Sequence, residues 1–145
     1  MTEAREAIAD LVHRYSDAVC RHDTVEWTSC WADDARWALS PERTACGRDE
    51  IVALYERAIS TLEGVVQNVL HGTSSADGPT GVGRWYFVEH YRRINGEPGL
   101  LLARYDDTYV EREQGWLFAS RVLVPSYQGP PDLSGVFLVP ERHGD

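Results

Sequence analysis

A chain of 145 residues, 43% hydrophobic and 26% charged, reads as a single domain that buries about 70% of its unfolded surface. Its formal net charge of −9, with basic residues scattered and never in a run of three, argues against a nucleic-acid partner, which calls for a basic patch. No apolar stretch approaches the roughly 20 residues of a membrane span and the first residues lack a signal-peptide core, so the expectation is a cytoplasmic protein.

From residue 2 to about 22, Ile8, Leu11, Val12, Tyr15 and Val19 recur at helical spacing. "DTVE" follows as a capping box, with Asp23 as N-cap and Glu26 three residues on, opening a short helix through Trp27, Cys30 and Trp31. "ADDARWALS" reads as an acidic turn and a short strand. "GRDEIVALYERAIS" predicts a third helix with Ile51, Leu54, Tyr55 and Ala58 on one face. The period then changes. Stretches around 66–74, 82–92, 100–111 and 116–124 are rich in β-branched and aromatic residues, separated by the turn signals "ADGPTG", "INGEPG" and "EREQG". Helices followed by an antiparallel meander predict an α+β domain, a curved sheet with three helices on its concave side. Cys20, Cys30 and Cys46 are odd in number and lack CxxC spacing, which fits reduced thiols and argues against a zinc site. The Pro- and Gly-rich tail after Pro125 also carries "GVFLV", and is expected as an ordered extension over the pocket mouth or a dimer interface.

Five stretches, "LVHRYSDAVCRHDTVEW", "CWADDARW", "GRDEIVALY", "ADGPTGVGRWYFVEHYRR" and "RYDDTYVEREQGWLFASR", run in order over about residues 8 to 122. Together they resemble the SnoaL-like family of the nuclear transport factor two superfamily, which includes scytalone dehydratase, ketosteroid isomerase, polyketide cyclases and a hexachlorocyclohexane dehydrochlorinase. The resemblance implies a cone-shaped fold: one domain over 1–145 with a core of about 5–124. It also implies a pocket between the first helix and the concave sheet face, homodimerisation through the sheets, and no metal or organic cofactor. In the dehydratase and dehydrochlorinase relatives an Asp late in the first helix pairs with a His on the first long strand to remove a proton. Here Cys20 stands at the Asp position and Gln67 at the His position, so that dyad is absent; glutamine has no proton that titrates near neutrality.

Other polar residues are candidates to equip the pocket. His71, four residues after Gln67, would share a strand face with Gln67, Val69 and Thr73, as a pocket base or as a core or dimer-face histidine. Tyr15 matches the oxyanion-binding tyrosine of ketosteroid isomerase, or is a core tyrosine. In "GRWYFVEHY", one parity turns Glu89 inward, where desolvation would raise its pKa; the other turns His90 inward, near a catalytic histidine of scytalone dehydratase. In "ARYDDTYVE", Asp107 shares a face with Tyr105 and Tyr109, and either orients His71 or accepts a bond from a neighbouring Arg. The dehydrochlorinase resemblance makes Tyr105 a pocket-lining aromatic and Arg121 a holder of the leaving anion, with a sheet ion pair as the alternative for Arg121. Gln67, Cys20, Trp37 and Val19 are expected to complete the substrate-binding lining. The expected function is a cofactor-free dehydratase, isomerase or cyclase acting on an apolar, cyclic small molecule. The alternatives are a small-molecule binding protein and an accessory subunit.

Overall fold

The apolar stripe near the N-terminus is the buried face of α1 (Thr2–Arg21), where Ile8, Leu11, Val12, Tyr15, Ala18 and Val19 are all enclosed. The computed structural model describes residues 2–139. His22 ends α1 with φ 54°, and the Asp23 N–H donates to Ala18 O at 2.9 Å, closing the last turn in a Schellman pattern. Asp23 then caps α2 (Thr24–Ser29), accepting from the Glu26 N–H at 3.0 Å. The Glu26 side chain turns to Arg14 at 3.2 Å instead of completing a box.

Next come β1 (Trp31–Ser40), β2 (Arg43–Cys46) and α3 (Arg48–Ile59). The rest is a meander of β3 (Leu62–Asp77), β4 (Thr80–Arg93), β5 (Pro98–Arg112) and β6 (Gly115–Gly129). The six strands form one open sheet in the order β2-β1-β6-β5-β4-β3. All neighbours are antiparallel except β1 and β6, which run parallel. The acidic turn expected before the first strand lies within β1: the ladder to β6 breaks between Trp31 and Arg36, and the exposed Asp33 and Asp34 there pair with Arg112 at 2.9 and 3.2 Å. β2 is four residues long, too short to show alternation in the sequence. An aromatic core of Trp27, Trp31, Trp37, Tyr15 and Phe118 joins α1 and α2 to the sheet.

β6 continues past residue 125, so the extension begins only after Gly129. Buried Tyr127 pairs with Phe137, and the Leu138 N–H donates to Ser126 O at 2.7 Å, tying the tail back to β6. The expectation for residues 140–145 lies outside the described residues. No helix among the described residues is long and apolar enough to cross a membrane.

Strand parity carries the main correction. Val65, Gln67 and Val69 of β3 face the helices, but Val69 pairs with Phe87 while His71 pairs with Tyr86, so Leu70 is an extra residue. Beyond this bulge Gly72 faces inward and His71 outward, and His71 stacks on Tyr86 with ring centroids 4.6 Å apart. His71 therefore does not share a face with Gln67, because counting by twos holds only along an unbroken ladder. Inward placement of Gly72 has its own cause: Trp85 lies across it, and a Cβ there would collide with the indole. The β4–β5 ladder is unbroken, which leaves Trp85, Phe87 and Glu89 inward and His90 exposed on the other face.

Candidate active site

Between the end of α1, α3 and the inner sheet face lies a cavity of about 1000 Å³. Its walls are largely apolar, with Val19, Trp37, Leu54, Phe87, Leu101 and Leu123 among them. Among the polar side chains that interrupt them are Gln67 and Glu89 on adjacent strands, Tyr55 from α3 and Tyr105 from β5. Arg43, Arg57 and Arg93 line the mouth together with Glu42 and Glu50.

Gln67 and Glu89 are directly opposite in the β3–β4 ladder, so their side chains meet on the inner face. Gln67 Nε2 donates to Glu89 Oε1 at 2.9 Å, and the Ser16 hydroxyl donates to Gln67 Oε1 at 2.7 Å. Cys20, one helical turn after Ser16, holds the Gln67 backbone: its thiol donates to Gln67 O at 3.4 Å, and the Gln67 N–H donates to Sγ at 3.2 Å. Burial pushes the Glu89 carboxyl above the usual glutamate range, and the hydrogen bond from Gln67 opposes part of that shift. A carboxyl so placed can both take and return a proton.

Tyr105 forms part of the cavity floor and stacks on Phe87 with centroids 5.1 Å apart. Trp37 Nε1 donates to its hydroxyl at 3.2 Å, leaving the phenol its own proton to offer. Burial raises the pKa of Tyr105 and of Tyr15 next to it, so both remain protonated donors. Tyr55 escaped the sequence reading, which placed it only on a core helix face. Its ring stacks on Trp27 at 3.9 Å, and its hydroxyl is buried without a partner among the described residues. Burial first, and the nearby Glu89 charge second, push its pKa up to about 12. A one-dimensional pattern cannot show a missing partner, so no signal marked it.

Asp107 and Arg121 lie in the closed interior rather than at the cavity wall. Arg121 is only 2% exposed and donates to Asp107 twice, at 2.7 and 3.1 Å. The Tyr109 hydroxyl adds a third bond to Asp107 at 2.8 Å, and Trp85 Nε1 donates to Tyr109 at 3.0 Å. The guanidinium rests over the rings of Tyr105, Phe118 and Tyr15 at 4.1, 4.2 and 4.5 Å. Of the two roles considered for Asp107, the bond to a neighbouring Arg is the one formed.

Val19, Trp37, Gln67, Glu89 and Tyr105 thus meet at the cavity. Cys20 braces Gln67 from behind, and Tyr15 is almost fully enclosed beside Tyr105. His71 stands apart, on the outer face of the sheet. His71→Ala is therefore expected to change stability by less than about 0.5 kcal/mol in urea denaturation. It should also leave turnover of any cavity substrate at the wild-type rate; a large loss of turnover would return His71 to the site. Among the described residues no group of three or more His, Cys, Asp or Glu side chains is arranged to hold a metal.

The family model for the SnoaL-like domain matches residues 1–122. The chain belongs to the SnoaL-like family. Solved structures with the same fold include a protein from Novosphingobium aromaticivorans DSM 12444 that is provisionally named a scytalone dehydratase. It is 18% identical, the match covers 97% of this chain and 93% of that one, and the TM-score is 0.82. The hexachlorocyclohexane dehydrochlorinase LinA-type3 from Novosphingobium barchaimii LL02 is 19% identical, with 94% of each chain covered and a TM-score of 0.78. An NTF2-like protein with a cystatin-like fold from Novosphingobium aromaticivorans is 23% identical, with 84% and 81% covered and a TM-score of 0.66. No curated protein matches the chain. SnoaL-like membership accounts for the curved sheet and the N-terminal helices; at these identities the likeness to solved structures extends to the fold and not to the chemistry.

Proposed function

We propose that this SnoaL-like protein is a cofactor-independent enzyme that eliminates, isomerises or cyclises an apolar, cyclic small molecule, with Glu89 as its acid–base group. The observation that carries the reading is the Glu89 carboxyl, hydrogen-bonded by Gln67, at a largely apolar cavity of about 1000 Å³. A substrate C–H bond would break as its proton passes to the Glu89 carboxylate. The electron pair would move to the neighbouring carbon, expelling a leaving group or charging a carbonyl oxygen. The Tyr105 hydroxyl would donate to that oxygen or leaving group, without bringing a charge into an apolar site. Arg121 beneath the Tyr105 ring favours electron density there. Elimination fits the names of two proteins that share the fold, one provisionally a scytalone dehydratase and the other a hexachlorocyclohexane dehydrochlorinase. Glu89 would supply the base that Cys20 and Gln67 cannot.

Native mass spectrometry of the purified protein, followed by incubation of any released small molecule with fresh enzyme in D2O, tests the reading. An enzyme would convert that molecule or exchange one of its carbon-bound protons. A molecule bound tightly and left unchanged would make the protein a binding protein instead.

The reading includes a homodimer formed through the outer sheet face. Val66, Leu70 and Val82 are 50%, 59% and 55% exposed on these two strands, apolar side chains that a second copy would cover. Sedimentation should give two chains for the wild type and one for Leu70→Asp/Val82→Asp; a wild-type monomer would refute the dimer. Three free thiols fit a reducing, cytoplasmic setting.

A further inference from the structure

The aim of the Glu89 carboxyl depends on an amide that could face either way. Turned over, Gln67 would present its oxygen to a carboxylate, an acceptor facing an acceptor. A carboxylate requires the NH2 end, and the Gln67 oxygen then requires a donor of its own. Buried Ser16 provides that donor, at 2.7 Å, from the face of α1 that Cys20 also uses to hold the Gln67 backbone. Glu89 Oε1 takes the amide bond, while no other hydrogen bond holds its carboxyl among the described residues.

We propose that Ser16 is a positioning residue of this site: through Gln67 it fixes one carboxyl oxygen of Glu89 and leaves the other to face the cavity as the atom that takes and returns the proton. The inference rests on the reading of Glu89 as the acid–base group. In the forward step the substrate C–H bond breaks and an Oε2–H bond forms. In the return step that proton leaves Oε2 for carbon or for the leaving group. The Gln67 bond to Oε1 persists throughout, because a carboxylate oxygen and a carbonyl oxygen both accept. It is stronger to the charged form, so losing it should make the carboxyl harder to ionise.

Other ionisable groups face Glu89 from the surrounding elements. Cys20 comes from α1, Tyr55 from α3, Tyr91 and Arg93 from β4, and Tyr105 from β5, with Glu42, Arg43, Glu50 and Arg57 at the mouth. Described residues of β1, β3 and β6 present only neutral side chains to the cavity. Variants at Ser16 and Gln67 leave all these charges in place, so a shift in titration reports the relay itself.

The test is a carbon-13 NMR titration of the Glu89 carboxyl in the ligand-free protein, with the signal assigned by its loss in Glu89→Gln. The wild-type midpoint is expected above the ordinary glutamate value. Gln67→Leu should raise it by about 1 unit and Ser16→Ala by about 0.5 unit, with Ser16→Thr returning toward wild type. Thermal melting of each variant confirms the fold. A Ser16→Ala midpoint equal to wild type overturns the proposal, whether or not Gln67→Leu shifts. A wild-type midpoint at the ordinary glutamate value is a different failure, which removes the acid–base reading of Glu89 and the proposal with it.

Discussion

Asp107→Asn is expected to destabilise the protein by about 3–5 kcal/mol and to lower its melting temperature by about 10 °C or more. Asparagine keeps the size of the side chain and can still accept from Tyr109. It leaves the Arg121 guanidinium, 2% exposed and held fully charged, without a counter-charge in the interior. Because a domain of this kind has a total stability of about 5–15 kcal/mol, this single change removes a large share of it. Asp107→Leu combined with Arg121→Met should recover most of the loss, since desolvating two ions largely offsets their attraction. Urea denaturation of the three variants checks both statements. A double variant as weak as the single one would mean that the rings of Tyr15, Tyr105 and Phe118 need the cation between them.

Glu89→Gln is expected to lower turnover by about 10²- to 10⁴-fold while making the protein more stable at neutral pH. Burial raises the folded-state midpoint of Glu89, so the folded chain binds more protons than the unfolded chain between the two midpoints. The contribution of Glu89 to stability is then fully present below the unfolded value, about pH 4.3, and is lost as pH rises through the folded value. Glutamine has no such loss. The melting temperature of Glu89→Gln should pull ahead of wild type from about pH 4.5 upward and level off once wild-type Glu89 is ionised. A structural ion-pair carboxylate would give the opposite sign, with its removal costing stability at neutral pH.

Regular periods made much of the fold legible in the sequence. The stripe of α1 follows from an unbroken repeat of 3.6 and the Asp23 cap from its residue type, while the alternation in "GRWYFVEHY" put Glu89 and His90 on opposite faces and left open which one turns inward. His71 was misplaced because one extra residue at Leu70 reverses the parity beyond it, and nothing in "VVQNVLHGTSS" marks the bulge. Absence of the family dyad was readable from Cys20 and Gln67 alone. That Gln67 hands a hydrogen bond to Glu89 was not, because it depends on cross-strand register between residues 22 apart. Register likewise decides Asp107, which sits opposite Arg121 in the β5–β6 ladder. Tyr55 shows the remaining limit: its ring belongs to the core, and only the three-dimensional surroundings reveal a hydroxyl without a partner.

The central claim is that Glu89 carries the proton in this cavity. It is tested most directly by taking any small molecule released from the purified protein and incubating it in D2O with wild type and with Glu89→Gln at equal concentration. The account predicts deuterium incorporation or product formation with wild type, and a rate at least about 10²-fold lower with a Glu89→Gln variant that still binds the molecule. Equal rates in the two proteins would contradict it.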